Sequence, residues 1–208
     1  MASPTFFLSY ARDDNENDDG DESTLVRSFF DQLQSAIRQI TGDRPVNDGS
    51  FIDGKIPFGA LWQDHLHAAV CTCDVFVPLM SASYFRREWC GREWAIFEQR
   101  IAQPGASERL CPIIWHPSAV PPFAAKYQRT LDDKDRADLR EALDDYQDKG
   151  LKWLVQYRDV PEYRVKYGLI IRELANRVVA AAAGAALAPL DPADAAARGS
   201  PRRPCHAR

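Results

Sequence analysis

Four short apolar runs separated by helical stripes constrain this chain more than any other feature. They are Phe6-Phe7-Leu8-Ser9-Tyr10, Ser50-Phe51-Ile52-Asp53, Asp74-Val75-Phe76-Val77-Pro78-Leu79 and Leu110-Cys111-Pro112-Ile113-Ile114-Trp115, each of strand length. Between the first two, Leu25, Phe29, Phe30, Leu33, Ile37 and Ile40 recur at helical spacing until Gly42 stops the pattern, with Ser23 or Thr24 as cap. A second helix carries Leu61, Leu66, Ala69 and Val70 on its buried face, and a third is predicted over residues 84–101. Such alternation of short apolar strands with helices requires right-handed crossovers and a parallel sheet covered on both faces.

The later part of the chain is less regular. Residues 132–149 form a charged amphipathic helix, and Leu151-Lys152-Trp153-Leu154-Val155 reads equally as a helix or as a fifth strand. A closing helix over 163–183 carries Tyr167, Ile170, Ile171, Leu174 and Val178, with Gly184 at its end. Residues 1–183 are therefore expected to be one domain, with 5–115 as its core and 116–183 as a divergent C-terminal part. The Ala-, Pro- and Arg-rich residues 184–208 have no apolar period to bury and are expected to be disordered.

Composition excludes several function classes. With 208 residues and 45% hydrophobic content, the chain can bury one ordinary core. No run approaches the ~20 apolar residues of a membrane span. The first residues lack a basic stretch and a long apolar segment, so a cytoplasmic protein is expected. Five cysteines, odd in number and without a repeated spacing, do not make a disulfide framework. No metal is expected, because His65 and His67 lie two apart on a helix and so project about 200° apart. The net charge of −4 argues against nucleic acid as a partner. Seven of the ten residues from Asp13 to Glu22 are acidic, but a calcium loop starting at Asn15 would end on Val26 rather than a bidentate glutamate.

The candidate for chemistry lies in Ser81-Ala82-Ser83-Tyr84-Phe85-Arg86-Arg87-Glu88-Trp89-Cys90-Gly91-Arg92-Glu93-Trp94. It directly follows the third strand, so it sits at the carboxyl edge of the sheet, where α/β proteins gather ligand-contacting groups. Glu88 is a rival carboxylate, but five residues separate it from Glu93, about 140° around a helix, so only one of them points into a given cleft. Taken by itself, Glu93 is either a solvated helix-surface carboxylate or a functional group.

Three blocks of the chain resemble the bacterial branch of the TIR (Toll/interleukin-1 receptor) domain family. The first is Phe6-Phe7-Leu8-Ser9-Tyr10-Ala11-Arg12-Asp13, similar to the family's opening strand and first loop. Phe51-Ile52-Asp53 with Gly54-Lys55-Ile56-Pro57-Phe58-Gly59, Leu66, Ala69, Val70 and Cys73 resembles its second strand, interaction loop and following helix. The third is Ser81, Tyr84, Trp89, Cys90 and Glu93, which keep the spacing of the family's Ser-Tyr-Trp-Cys-Glu pattern. Departures are Arg87, where many members have serine, and Gly91 and Trp94 in place of leucines. Within the family the likeness is to TIR-like proteins encoded beside short ribosomally made peptides.

The resemblance implies a three-layer, flavodoxin-like TIR fold with a central parallel sheet of about five strands. It also implies an NAD+ nucleosidase, a glycohydrolase or ADP-ribosyl cyclase in bacterial signalling or defence, with NAD as substrate and no cofactor. Glu93 would be catalytic, a fixed anion beside the oxocarbenium-like ribose. Phe7, Ser9, Arg12, Tyr84 and Trp89 would bind substrate, although Trp89, one turn before Glu93, also suits packing. No nearby histidine or second paired carboxylate is expected. Self-association, or binding to another TIR or partner protein, would run through the loop from Asp53 to Gly59. Alternatives are a non-enzymatic TIR interaction module and another nucleoside or nucleotide N-glycosidase. A Glu93 lining an open pocket with Phe7, Ser9 and Tyr84 fits the enzyme; a buried, salt-bridged Glu93 fits the module.

Overall fold

A computed structural model describes residues 5–15, 25–42, 51–52, 62–102, 105–127, 131, 137–184 and 186–191. The acidic stretch beyond Asn15 and the loop Asp53 to Gly59 lie outside the described residues, as do 192–208. Four strands, β1 (Phe6–Ser9), β2 (Phe51–Ile52), β3 (Val75–Met80) and β4 (Ile113–Ile114), form one sheet in the order β2-β1-β3-β4. All three pairings are parallel, with Phe7 opposite Phe51, Phe7 opposite Phe76 and Leu79 opposite Ile113. This 2-1-3-4 order belongs to the flavodoxin-like doubly wound sheets.

Strand side chains alternate between two faces. Phe6, Leu8, Val75, Val77 and Leu79 pack on one side with α1 (Leu25–Thr41), α6 (Ala137–Lys149), α7 (Leu151–Gln156) and α8 (Pro161–Ala182). Phe7 and Phe76 pack on the other with α2 (Trp62–Thr72) and α4 (Glu88–Arg100). Every residue of β3 is buried, as expected of a central strand covered on both faces.

Three sequence expectations are corrected. The sheet has four strands among the described residues rather than five, because Leu151, Leu154 and Val155 are buried at i, i+3 and i+4 and form helix α7. The helix predicted over 84–101 is two helices, α3 (Ala82–Arg86) and α4, divided at Arg87 with φ −84° and ψ 122°. The tail is not wholly without structure: Leu187 and Leu190 pack on the core, and the Leu190 N–H donates to the Cys71 carbonyl at 3.1 Å. The closing helix starts at Pro161, whose fixed φ and missing N–H suit a first helical turn. The short helix α5 (Pro122–Ala125) completes the set.

Candidate active site at the carboxyl edge of the sheet

Ser81 directly follows β3 and begins the site. Its backbone is extended (φ −151°, ψ 173°), and its hydroxyl oxygen accepts the Tyr84 N–H at 2.9 Å, capping α3. The same hydroxyl donates to the Asp14 carboxylate, so one serine joins the turn after β1, a 3-10 helix over Arg12–Asn15, to the start of α3. Ser81→Ala removes both bonds; a loss of about 1–2 kcal/mol, seen as a lower urea midpoint at unchanged slope, is expected.

Capping α3 places Tyr84 beside the end of β1. The Ser9 hydroxyl donates to Glu93, and the Tyr84 hydroxyl lies 3.1 Å from the Ser9 oxygen. With Glu93 ionised, the single Ser9 proton goes to the carboxylate, so Tyr84 donates to Ser9 and the chain runs Tyr84 to Ser9 to Glu93. All three are buried, with Ser9 and Tyr84 at 2% and Glu93 at 7% exposure. The Tyr84 phenol is pushed well above its ordinary range, first by burial and further by the neighbouring Cys90 and Glu93 groups, against a lowering by the Ser9 hydrogen bond.

Cys90 is a neutral thiol. Burial raises it first, and the carboxylates of Glu93 and Asp14 raise it further, while its sulfur contacts the Tyr10 carbonyl at 3.6 Å. That leaves no thiolate for nucleophilic chemistry at neutral pH.

The other expected site residues are distributed unevenly. Phe7 does not line a cleft: it is 1% exposed and stacked on Phe76, at 5.9 Å between ring centroids. Its place in strand β1 turns it to the same side as Ser9, but that side is filled by Phe76 and the helices over it. Arg12 is exposed in the turn after β1. Trp89 is half-buried, 6.2 Å from the His67 ring and with the Arg92 guanidinium 4.8 Å over it, so it packs α4 against α2. Glu88 is exposed and ion-paired with Arg92, which leaves Glu93 as the inward carboxylate. Arg87, one of the departures from the family pattern, is ion-paired with Asp13. At that point the acidic stretch meets a cation instead of repelling a ligand.

The structure also gathers a charged group that strand-by-strand reading of the sequence misses. Asp14, bonded to Ser81, lies within electrostatic reach of Lys152 and His116, so a carboxylate borders the Ser81 corner. The only sequence signal was position: Asp14 and His116 each follow a strand's carboxyl end, but Lys152 arrives from α7 through folding alone.

Asp14 carries a pH signature. Burial raises its carboxyl above the ordinary 3.8, outweighing Ser81 and Lys152, which lower it; Asp13 adds to the rise and His116 opposes it. The folded state therefore holds this proton more tightly than the unfolded chain, so stability falls as pH rises from 3.8 through the folded value and the loss is complete above it. Asp14→Asn is expected to raise the urea midpoint near pH 7, with the gain shrinking as pH falls and vanishing below 3.8. Urea titrations at several pH values check it.

Among the described residues, cavities lie elsewhere. One of about 710 Å³ is bordered by Glu108, Lys126, Tyr127, Glu173, Asn176 and Arg177, and one of about 340 Å³ by Arg158, Tyr167 and neighbours. Neither includes Glu93, Ser9 or Tyr84. Among the described residues no group of three or more His, Cys, Asp or Glu side chains could hold a metal ion, and no helix is long and apolar enough to cross a membrane.

A family model described as TIR domain matches residues 6–155. No curated protein and no solved structure matches the chain.

Proposed function

The chain belongs to the TIR domain family, and on that premise we propose that it cleaves NAD at the bond between nicotinamide and ribose, with Glu93 as the catalytic carboxylate. The supporting observation is the hydrogen-bonded chain from Tyr84 through Ser9 to Glu93. A carboxylate oriented in advance by a serine needs no reorganisation when positive charge develops on the ribose.

The glycosidic bond breaks with its electron pair leaving on nicotinamide, which cancels that ring's positive charge. The ribose then becomes oxocarbenium-like, and Glu93 stabilises it from within Coulomb range. Water or a nucleophilic atom of the adenine adds at the ribose carbon and gives up a proton, which yields linear or cyclic ADP-ribose. No strong general acid is needed, because the leaving group departs neutral. Glu93 is 7% exposed, so substrate entry requires the cleft to open; assembly with a neighbouring subunit is the proposed trigger, in a bacterial signalling or defence role. Nicotinamide release by the concentrated full chain, compared with Glu93→Gln, tests the proposal.

The same burial favours a second reading, a TIR interaction module in which Glu93 only ties α4 to β1. In that case Pro57→His abolishes association in a pull-down, Glu93→Ala does not, and no nicotinamide is released.

A further inference from the structure

We propose that residues 186–191 are a releasable strap, a cis-bound peptide that clamps the end of α2 to the end of α4 and so gates the mobility of α2. Three observations carry this. Leu187 and Leu190 are half-buried against the cluster built on α2 and α4, while residues 186, 188, 189 and 191 are exposed. The strap thus touches the fold through a leucine, two outward residues and a second leucine, in a segment with no helix or strand of its own. The Leu190 N–H is bonded to the Cys71 carbonyl in the last turn of α2, at 3.1 Å. The third is Arg100, at the last position of α4.

Arg100 is 5% exposed and makes its hydrogen bonds to uncharged acceptors from three segments. One nitrogen, Nη1, donates to the Val70 and Cys73 carbonyls at 2.9 and 2.7 Å; Nε donates to the Ala188 carbonyl at 3.3 Å. Its guanidinium also lies 5.3 Å from the Phe97 ring centroid. A single buried cation therefore holds the end of α2, the turn into β3 and the strap together. When the strap leaves, Nε loses its acceptor and the apolar cover over this corner goes with it, so α2 loses a restraint at its C-terminal end.

The strap is built to open. Among the described residues its buried hold is two half-buried leucines with one main-chain donor and one accepted bond, beside the Asp191 charge near Cys71, and segments with few buried contacts open locally before the fold does. Because α2 follows the Asp53 to Gly59 stretch, releasing its far end is a way for the tail to reach the chain's expected interaction loop. The inference does not depend on NAD cleavage.

Hydrogen exchange of the full chain decides it, with wild type compared with Leu187→Asp/Leu190→Asp. In wild type the Leu190 amide is expected to be protected ~10-fold or more over the free-chain rate, and in the variant that protection is lost. Exchange over residues 66–73 is expected to rise ~10-fold in the variant while α1 and α8 are unchanged. A Leu190 amide unprotected in wild type, or identical exchange over 66–73 in both proteins, overturns the proposal. Should α1 and α8 also lose protection, the milder Leu190→Ala decides by the same criteria.

Discussion

Glu93→Gln is expected to lower nicotinamide release by about 10²- to 10³-fold while leaving the thermal midpoint unchanged or slightly higher. Glutamine has the shape of glutamate and keeps a carbonyl oxygen that can accept the Ser9 hydroxyl, so the chain from Tyr84 persists in weaker form. What disappears is the negative charge. At 7% exposure that charge carries a desolvation cost, and its removal relieves that cost against the weakened Ser9 bond. The transition state, by contrast, loses the only fixed anion assigned to it. Release measured by chromatography, with unfolding followed in parallel, separates the two effects. Equal release from both proteins would remove Glu93 from the chemistry, and a large fall in the midpoint would mean that Glu93 holds the fold together.

Gly150→Ala is expected to destabilise the protein by about 2–4 kcal/mol or to prevent its accumulation as folded protein. Gly150 links α6 to α7 with φ 81° and ψ 167°, a region open to glycine and closed to L residues with a side chain. Space is refused as well as conformation. An added Cβ would lie 2.6 Å from the Trp115 carbonyl oxygen, 3.0 Å from Pro117 Cδ and 3.1 Å from His116 Cα, all in or next to backbone. That carbonyl cannot move freely, since it accepts the Lys152 N–H at 3.0 Å, and Trp115 is fully buried against Phe29. Urea denaturation measures the loss. Among the described residues the other positive-φ glycines are Gly42 and Gly105, where an added Cβ meets no described atom within 4 Å beyond its chain neighbours, so alanine there meets the backbone penalty and makes a direct control.

The strands were legible because each is a short apolar run that a two-faced parallel sheet needs, and β3 is buried along its whole length as that pattern requires. The run Leu151 to Val155 was ambiguous for a physical reason. Five residues hold too few turns for period 2 and period 3.6 to differ, and the choice was made by Gly150 and by the core that receives Leu151, Leu154 and Val155. The break at Arg87 was hidden in the same way. No helix breaker occupies that position, and the interruption coincides with an ion pair to Asp13, distant in sequence.

At the candidate site, period 2 in β1 was enough to place Phe7 and Ser9 on one side of the sheet and Phe6 and Leu8 on the other. It could not say which of the first pair would meet a carboxylate and which a core ring, because that depends on the partners: Phe76 lies over Phe7, and Glu93 meets Ser9. By itself, then, the sequence determined the parallel α/β fold, its family and the position of Glu93 in the helical stretch that follows β3, since all three follow from local pattern and spacing. Tertiary structure alone decided that Glu93 is buried and bound through Ser9, that Asp14 joins Ser81, and that residues 186–191 lie across α2 and α4. Each of these is a contact between residues far apart in the chain, and no local period encodes which distant groups will meet.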